Sequence, residues 1–382
     1  MKPLTFKGRL LRTKTNLFLR SQNILLKTLG KIEPGTRSYS LVQKFLKDVV
    51  GGYPIAIKLD INDPCNLSYK TCYTKNNNRI LSFENIRNIL QQIGAVPLRL
   101  DILGGEPLRH PNLCDIIAYA KKSTKIKDVV LYTNGTLATA SLTKKLAQSG
   151  LDTAIVTLIS YQPDFHDEFT GQDGSWNATV EGVRRFKATG IKTNTFTAIH
   201  NKNIRDIQAI SLFVRHELKV TPLFHQYIPQ SDQDPLLPTP QQWNRAKNDM
   251  IKMMPKQYFS YPHNILTFCG RICLGGYYVY SIKVDGTITP CPFMQDIKLG
   301  NILKNNFWDS IAQKCNNSQM KTFLSIPDEC QDCRYKNYCG GGCRAVNPSE
   351  TADFKTKDCR CLGPWQVDMD PNQIPEHIPT FF

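Results

Sequence analysis

Two spacings alternate along most of this chain. Short apolar runs at 55–61, 98–103, 129–132, 153–159, 193–199 and 222–227 have strand length. Between them apolar residues recur every three or four positions, as on one face of a helix. Ser82 is placed to cap the first such stretch, where Phe83, Ile86, Ile89, Leu90 and Ile93 share a face and Gly94 follows. Further helices are expected at 111–122, 141–148, 176–189 and 205–218, with Gly150 and Gly190 as stops. In the helix at 176–189, Trp176, Val180, Val183 and Phe186 point inward. Strand–helix alternation of this kind predicts a parallel sheet with helices outside it. The expected class is α/β, as a partial (β/α)6 TIM-like barrel over 54–231. A helical linker at 232–265 and a smaller cysteine-rich unit at 266–382 follow. A short helix at 38–50 precedes the first strand.

Composition narrows the class. The chain has 382 residues, 41% of them hydrophobic, which allows two units with real cores. No apolar run is long enough to span a bilayer, and no secretory signal pattern is present at the start. These features predict a cytoplasmic protein. The formal net charge is +16. Residues 1–31 hold eight lysines and arginines and no acid, with Leu10, Leu11, Leu17, Phe18, Ile24, Leu25 and Leu29 interleaved. A basic helical arm over 1–53 packed on its own protein fits this pattern. So does a helix lying on an anionic membrane surface, or one meeting an acidic partner. No nucleic-acid-binding motif is present.

The 13 cysteines are clustered, which in a cytosolic protein points to metal rather than to disulfides. The first group follows the first strand, in Asp63-Pro-Cys65-Asn-Leu-Ser-Tyr69-Lys-Thr-Cys72-Tyr73. The second strand ends in Gly104-Gly105-Glu106-Pro107, the third in Thr133-Asn134-Gly135 and the fourth at Ser160. Two glycines permit close backbone approach to a ligand, proline fixes the turn, and Glu106 adds a carboxylate. Barrel enzymes carry their active sites at this end of the strands. The cysteine loop resembles the Cys-x-x-x-Cys-x-x-Cys loop of radical S-adenosylmethionine (SAM) enzymes, with Tyr69 at the middle cysteine. The resemblance implies a [4Fe–4S] cluster on Cys65, Tyr69 and Cys72. It also implies SAM held through Gly104, Gly105, Glu106, Pro107, Asn134 and Ser160. The stretch from His166-Asp167 to Gly174-Ser175 is similar to the family too, and loop structure is the expected role there. Tyr161-Gln162-Pro163 departs from the Leu-Asp-Gly that often follows the family's serine.

The second group reads Cys273, twelve residues, Gly286, four residues, Cys291, then Cys330-x-x-Cys333, five residues, Cys339, three residues, Cys343, and seventeen residues to Cys361. This resembles the SPASM extension of radical SAM enzymes, which binds two auxiliary [4Fe–4S] clusters. The resemblance assigns Cys269, Cys273, Cys291 and Cys343 to one cluster. It assigns Cys330, Cys333, Cys339 and Cys361 to the other, with Cys359 competing for the last place. Structural zinc sites are the alternative for such spacings. Pro292 stands where some SPASM dehydrogenases have an aspartate, and Asp296 is the nearest acid. Cys114 falls on a helix, where a thiol is usually core.

Tyr69 is the departure that matters. A phenol is less acidic than a thiol, a harder donor, and reaches further from the backbone. Three readings stand: a cluster on two cysteines plus Tyr69 or an external ligand, a lost or labile cluster, and a substituted cysteine. The resemblance implies an oxidoreductase or maturase that generates a 5′-deoxyadenosyl radical from SAM to modify a substrate. Peptide or protein side chains lead as substrates, and the reductant would be of flavodoxin or ferredoxin type. The alternatives are a catalytically degenerate SAM and iron–sulfur scaffold that binds a partner, and a modifier of a lipid or small molecule.

Overall fold

The structure is a computed structural model that describes residues 5–10, 12–13, 54, 56–74, 77–93, 99–229, 231, 233–253, 273–333, 336, 340–347 and 354–362. Most of the basic arm, the helix expected at 38–50, Gly94, part of the linker, Cys269 and Cys339 lie outside the described residues.

Six parallel strands alternate with helices as the spacing requires. They are β1 (Ala56–Asp60), β2 (Arg99–Leu103), β3 (Asp128–Thr133), β4 (Thr153–Thr157), β5 (Lys192–Ile199) and β6 (Thr221–Gln226). The intervening helices are α1 (Phe83–Ile93), α2 (Leu113–Ser123), α3 (Ala140–Gln148), α4 (Pro163–Thr170), α5 (Ser175–Ala188) and α6 (Ile207–Phe213). Ser82 caps α1, accepting from Asn85 N at 3.2 Å. Gly150 and Gly190 carry the positive φ that ends α3 and α5. Ile57 and Leu59 face the helices and join Ile86, Ile89, Leu90, Leu100 and Ile102 in the main core. Lys58, between them, faces the interior of the curved sheet and lines a cavity. Cys114 is half-buried on α2 and packs against this core.

The sheet stays open and runs on past the first six strands. Its order is β6-β5-β4-β3-β2-β1-β7-β8-β9. Strand β7 (Val279–Ile282) pairs in parallel with β1, and β8 (Thr287–Thr289) and β9 (Gly300–Asn301) follow antiparallel. The cysteine-rich unit thus shares a sheet with the barrel. Its short helices are α8 (Phe307–Ala312) and α9 (Ser318–Leu324), and α7 (Pro240–Met253) lies in the linker. Trp308 Nε1 donates to Gln92 O at 2.8 Å, tying α8 to α1.

The segment expected as a loop is helical instead. Pro163 opens α4 and Gly171, with φ of 69°, closes it. Asp167 accepts from Gly174 N, Ser175 Oγ and Trp176 N at 2.7–2.8 Å, so it caps α5. Burial works against the charged form, but these bonds hold its carboxyl below the usual range.

Candidate functional site

The loops after β1, β2 and β3 are bound to one another at the carboxyl end of the sheet. Gly105 N donates to Asn62 O at 2.7 Å, Glu106 N to Pro64 O at 2.9 Å, and Asn62 Nδ2 to Glu106 O at 2.9 Å. A Cβ on Gly104 would lie 2.4 Å from Asn62 Oδ1, and one on Gly105 2.0 Å from Asp63 O. The two glycines therefore let the second loop pass against the first, in addition to facing the cavity. Glu106 is fully buried. Its Oε1 accepts from Thr133 Oγ1 at 2.6 Å and Leu108 N at 2.9 Å, and its Oε2 from Asn134 N at 2.8 Å. Burial raises its pKa against the pull of those bonds. Glu106, Pro107 and Ser160 are not among the residues lining the cavity. Ser160 Oγ accepts from Gln162 N at 3.0 Å. Asn134 does line it, donating to Asn66 Oδ1 at 3.0 Å, with Cys65 Sγ 3.9 Å away.

Cys65, Tyr69 and Cys72 line this cavity of about 260 Å³. Ser68 N donates to Thr170 O at 2.9 Å and Lys70 N to Phe169 O at 3.0 Å, which pins the loop to the end of α4. The Tyr69 ring packs beside Ile159, Phe169, Tyr227 and Leu236. Its hydroxyl is buried and has no hydrogen-bond partner among the described residues. Burial raises the phenol well above its usual pKa, and the negative charge of Glu106, Cys65 and Cys72 adds to this. Tyr69 lines the same cavity as both thiols. Two thiols and an unpartnered oxygen fit a metal-sulfur group held by two sulfur donors and one harder donor.

Cys273, Cys291 and Cys343 line the same cavity. Burial pushes the Cys291 thiol up to about 11, with Cys273 adding to it. Cys343 is raised by burial, then by Cys273. Thiols gathered in this way repel as thiolates and fit a cationic metal group between them. Cys330, Cys333 and Cys361 form a second set: burial raises Cys330, followed by Cys361 and then Cys333. Cys359 donates to Val346 O at 3.5 Å. Among the described residues no three His, Cys, Asp or Glu side chains are placed to hold a single metal ion.

Aromatic side chains line the same cavity. His225 lies between Phe196 and Phe293, with ring centroids 5.5 and 5.8 Å away, and Tyr73 meets Phe293 at 4.6 Å. Gln295 Nε2 donates to Tyr73 O at 3.2 Å, so the first cysteine loop rests directly on the segment after Cys291. Lys58 pairs with Asp101 at 2.8 Å and lies 5.0 Å from the centre of the Tyr132 ring. Burial opposes the charge on Asp101, yet Arg99 and Lys58 hold its carboxyl below the usual range. Arg344 is buried and donates to Gly340 O, Ser325 O and Phe354 O. Sequence reasoning passed over Lys58, His225, Phe293, Arg344, Asp358 and Arg360. The position of Arg344, Asp358 and Arg360 directly beside cysteines is the signal that was available for three of them.

The comparisons with known proteins agree with this geometry. Residues 64–214 match the profile of the radical SAM superfamily, and 273–334 match SPASM, described as an iron-sulfur cluster-binding domain. An AdoMet-dependent heme synthase of Methanosarcina barkeri (strain Fusaro / DSM 804) is 22% identical over 350 residues, 81% of this chain and 96% of that protein. The antilisterial bacteriocin subtilosin biosynthesis protein AlbA of Bacillus subtilis (strain 168) is 24% identical over 75% of this chain and 67% of that protein. In fold, the chain is similar to Streptococcus suis SuiB bound to S-adenosylmethionine. The TM-score is 0.66 at 18% identity, over 91% of this chain and 88% of that one.

Proposed function

The chain is a radical SAM protein with a C-terminal SPASM domain, an enzyme of the radical SAM type, and we propose that it modifies a peptide or protein side chain. The observation that carries this reading is the shared cavity. Cys65, Tyr69, Cys72, Cys273, Cys291 and Cys343 all line it, together with aromatic side chains. A substrate held there meets both cysteine groups at once. The AlbA relative is a bacteriocin biosynthesis protein, and a solved SuiB structure holds its precursor peptide SuiA. Both support a peptide. The heme synthase relative shows that similar chains serve other substrates.

On this reading Cys65 and Cys72, with Tyr69 as third donor, hold the cluster that engages SAM. Gly104, Gly105 and Asn134 face SAM from the neighbouring loops. Glu106, Pro107 and Ser160 shape those loops from behind. Cys273, Cys291 and Cys343, with Cys269, hold one auxiliary cluster. Cys330, Cys333 and Cys361, with Cys339, hold the other. When bound, the first cluster and SAM supply a 5′-deoxyadenosyl radical that removes a hydrogen atom from the substrate; the hard step belongs to the cofactor. The protein's part is to orient the reactants and exclude water. The Phe196, His225 and Phe293 stack forms an apolar wall, and Lys58 is kept occupied by Asp101.

Anaerobic reconstitution tests the reading. Iron is counted, and reductant-dependent 5′-deoxyadenosine is measured in the native chain and in Tyr69→Cys. Iron for three clusters and product from the native chain are expected. Iron for two clusters, with turnover only in the cysteine variant, would instead make the native chain a binding scaffold.

A further inference from the structure

A belt of aromatic rings runs along the cavity lining, and one charged side chain stands on it. Tyr132 meets Phe196 with centroids 6.2 Å apart, Phe196 meets His225 at 5.5 Å, His225 meets Phe293 at 5.8 Å, and Phe293 meets Tyr73 at 4.6 Å. Burial pushes His225 down to about 4, so it enters the belt as a neutral ring. Lys58 joins at Tyr132, its ammonium 5.0 Å from the ring centre. A lysine ammonium has three N–H donors. Asp101 takes one at 2.8 Å and is the single hydrogen-bond acceptor of Lys58 among the described residues. Asp101 is itself shared, because its Oδ1 accepts from Arg99 Nε. Asp128 also acts on Arg99, but Lys121 and Lys192 draw on that carboxylate too. The Lys58 side chain is 19% exposed against 2% for Asp101, so Lys58 is the member of the pair that reaches the cavity. Among the described residues no Asp or Glu lines it. Arg344, the other cation on the lining, directs its N–H groups at the carbonyls of Gly340, Ser325 and Phe354.

We propose that Lys58 and the aromatic belt form a substrate subsite for a carboxylate carried on an apolar body, as at the end of a peptide or in a free aromatic acid. This rests on the reading above, in which the cavity holds the substrate, and sharpens it. Within apolar walls an ammonium with spare donors is costly until an anion meets it. A carboxylate brings one charge and accepts at two oxygens, which suits a single ammonium held in one place. A phosphate would bring more charge and more acceptors than that ammonium can satisfy. The rings complete the fit, since their faces accommodate an aromatic or aliphatic group and exclude a strongly hydrated one. Asp101 keeps the ammonium in position while the subsite is empty. Lys58 thereby selects the substrate, and the glycines and cysteines that serve the cofactors take no part in this choice.

The test is an anaerobic calorimetric titration of the full reconstituted chain, with and without SAM. N-acetylphenylalanine is compared with N-acetylphenylalaninamide, which has the same body and no charge. The acid is expected to bind at least about tenfold more tightly. Lys58→Met should abolish that preference with iron per chain unchanged, and Lys58→Arg should restore part of it. Hydrocinnamate, which lacks the peptide unit, separates the sources: weaker binding than N-acetylphenylalanine favours a chain end, tighter binding a free acid, and either supports the subsite. Equal binding of acid and amide by the native chain overturns the proposal, as does binding of neither. A preference that survives in Lys58→Met overturns it as well. So does a preference that SAM removes, because Lys58 would then serve the carboxylate of SAM. Loss of iron in Lys58→Met makes Lys58 a counter-ion of a cluster and overturns it too. Lys58→Gln replaces a methionine variant that does not fold, and failure of both to fold gives Lys58 a structural role instead. The titration needs no turnover. A chain that prefers the acid but forms no 5′-deoxyadenosine therefore loses the enzymatic reading and keeps this subsite.

Discussion

Glu106 Oε2 accepts the backbone N–H of Asn134 at 2.8 Å, while its Oε1 takes the Thr133 hydroxyl and Leu108 N. One carboxylate thus clasps the ends of two strands, and its role begins before any ligand arrives. Glu106→Gln turns an amide NH2 toward at least one of these donors. A buried donor left without an acceptor costs about 1–3 kcal/mol. Urea denaturation of the metal-free protein should show that loss. A residue that served SAM alone would leave the metal-free stability unchanged.

The glycines of the second loop separate steric cost from conformational cost. In Gly105→Ala the new Cβ meets Asp63 O at 2.0 Å and Pro64 O at 2.5 Å. The cysteine loop has to move, at about 1–3 kcal/mol or more, and iron uptake at Cys65 and Cys72 should fall. Gly190 has φ of 81° and open space around it. Gly190→Ala should cost about 1–2 kcal/mol from the left-handed backbone alone, with iron content unchanged. Equal iron contents in the two variants would contradict the packing role.

The alternation of strands and helices could be read because buried strands and amphipathic helices have different periods. Ile57, Leu59 and Ile86 carry that signal locally. Helix α4 was missed because it has only eight residues and opens on Gln-Pro-Asp, which also suits a turn. Pro163 at its start and Gly171 at its end were the usable marks. Strands β7 to β9 have four, three and two residues. Their place beside β1 is a long-range pairing that no local pattern encodes. The cysteine-rich segment could be recognised because its spacing resembles that of SPASM domains. Arg344, Asp358 and Arg360 stand beside cysteines in the sequence, but such residues are normally exposed, and only the fold shows them buried.

Two buried histidines predict a loss of stability in acid. His166 and His200 are fully buried, and burial pushes both down to about 4. Asp167 opposes this at His166; at His200, Lys202 assists and Asp234 opposes. Unfolded, each titrates near 6.5. Between those values the unfolded chain binds the extra proton, so stability falls as pH drops from about 6.5 toward 4. The slope is at most about 1.4 kcal/mol per pH unit for each histidine. His200 stacks on Phe169 with centroids 4.5 Å apart, so His200→Phe preserves a ring there. The urea midpoint of the metal-free variant should fall less between pH 7 and pH 5 than that of the native chain. Equal falls would mean that His200 does not carry the effect.

Tyr69 should give opposite results with and without iron. In the metal-free protein its hydroxyl is buried with no partner among the described residues, while its ring packs on Phe169 and Tyr227. Tyr69→Phe keeps the ring and removes an oxygen whose desolvation is uncompensated, so metal-free stability should rise by about 1 kcal/mol. On the proposed reading, the same oxygen becomes the third donor beside Cys65 and Cys72 once iron is bound. Its loss should then lower iron per chain and the ligand-to-metal absorption that a tyrosinate contributes. A phenol that only filled space would give the stability gain without the loss of iron. A hydroxyl with an unseen partner would make the metal-free variant less stable. Only a donor that waits unpartnered for the metal predicts both the gain and the loss.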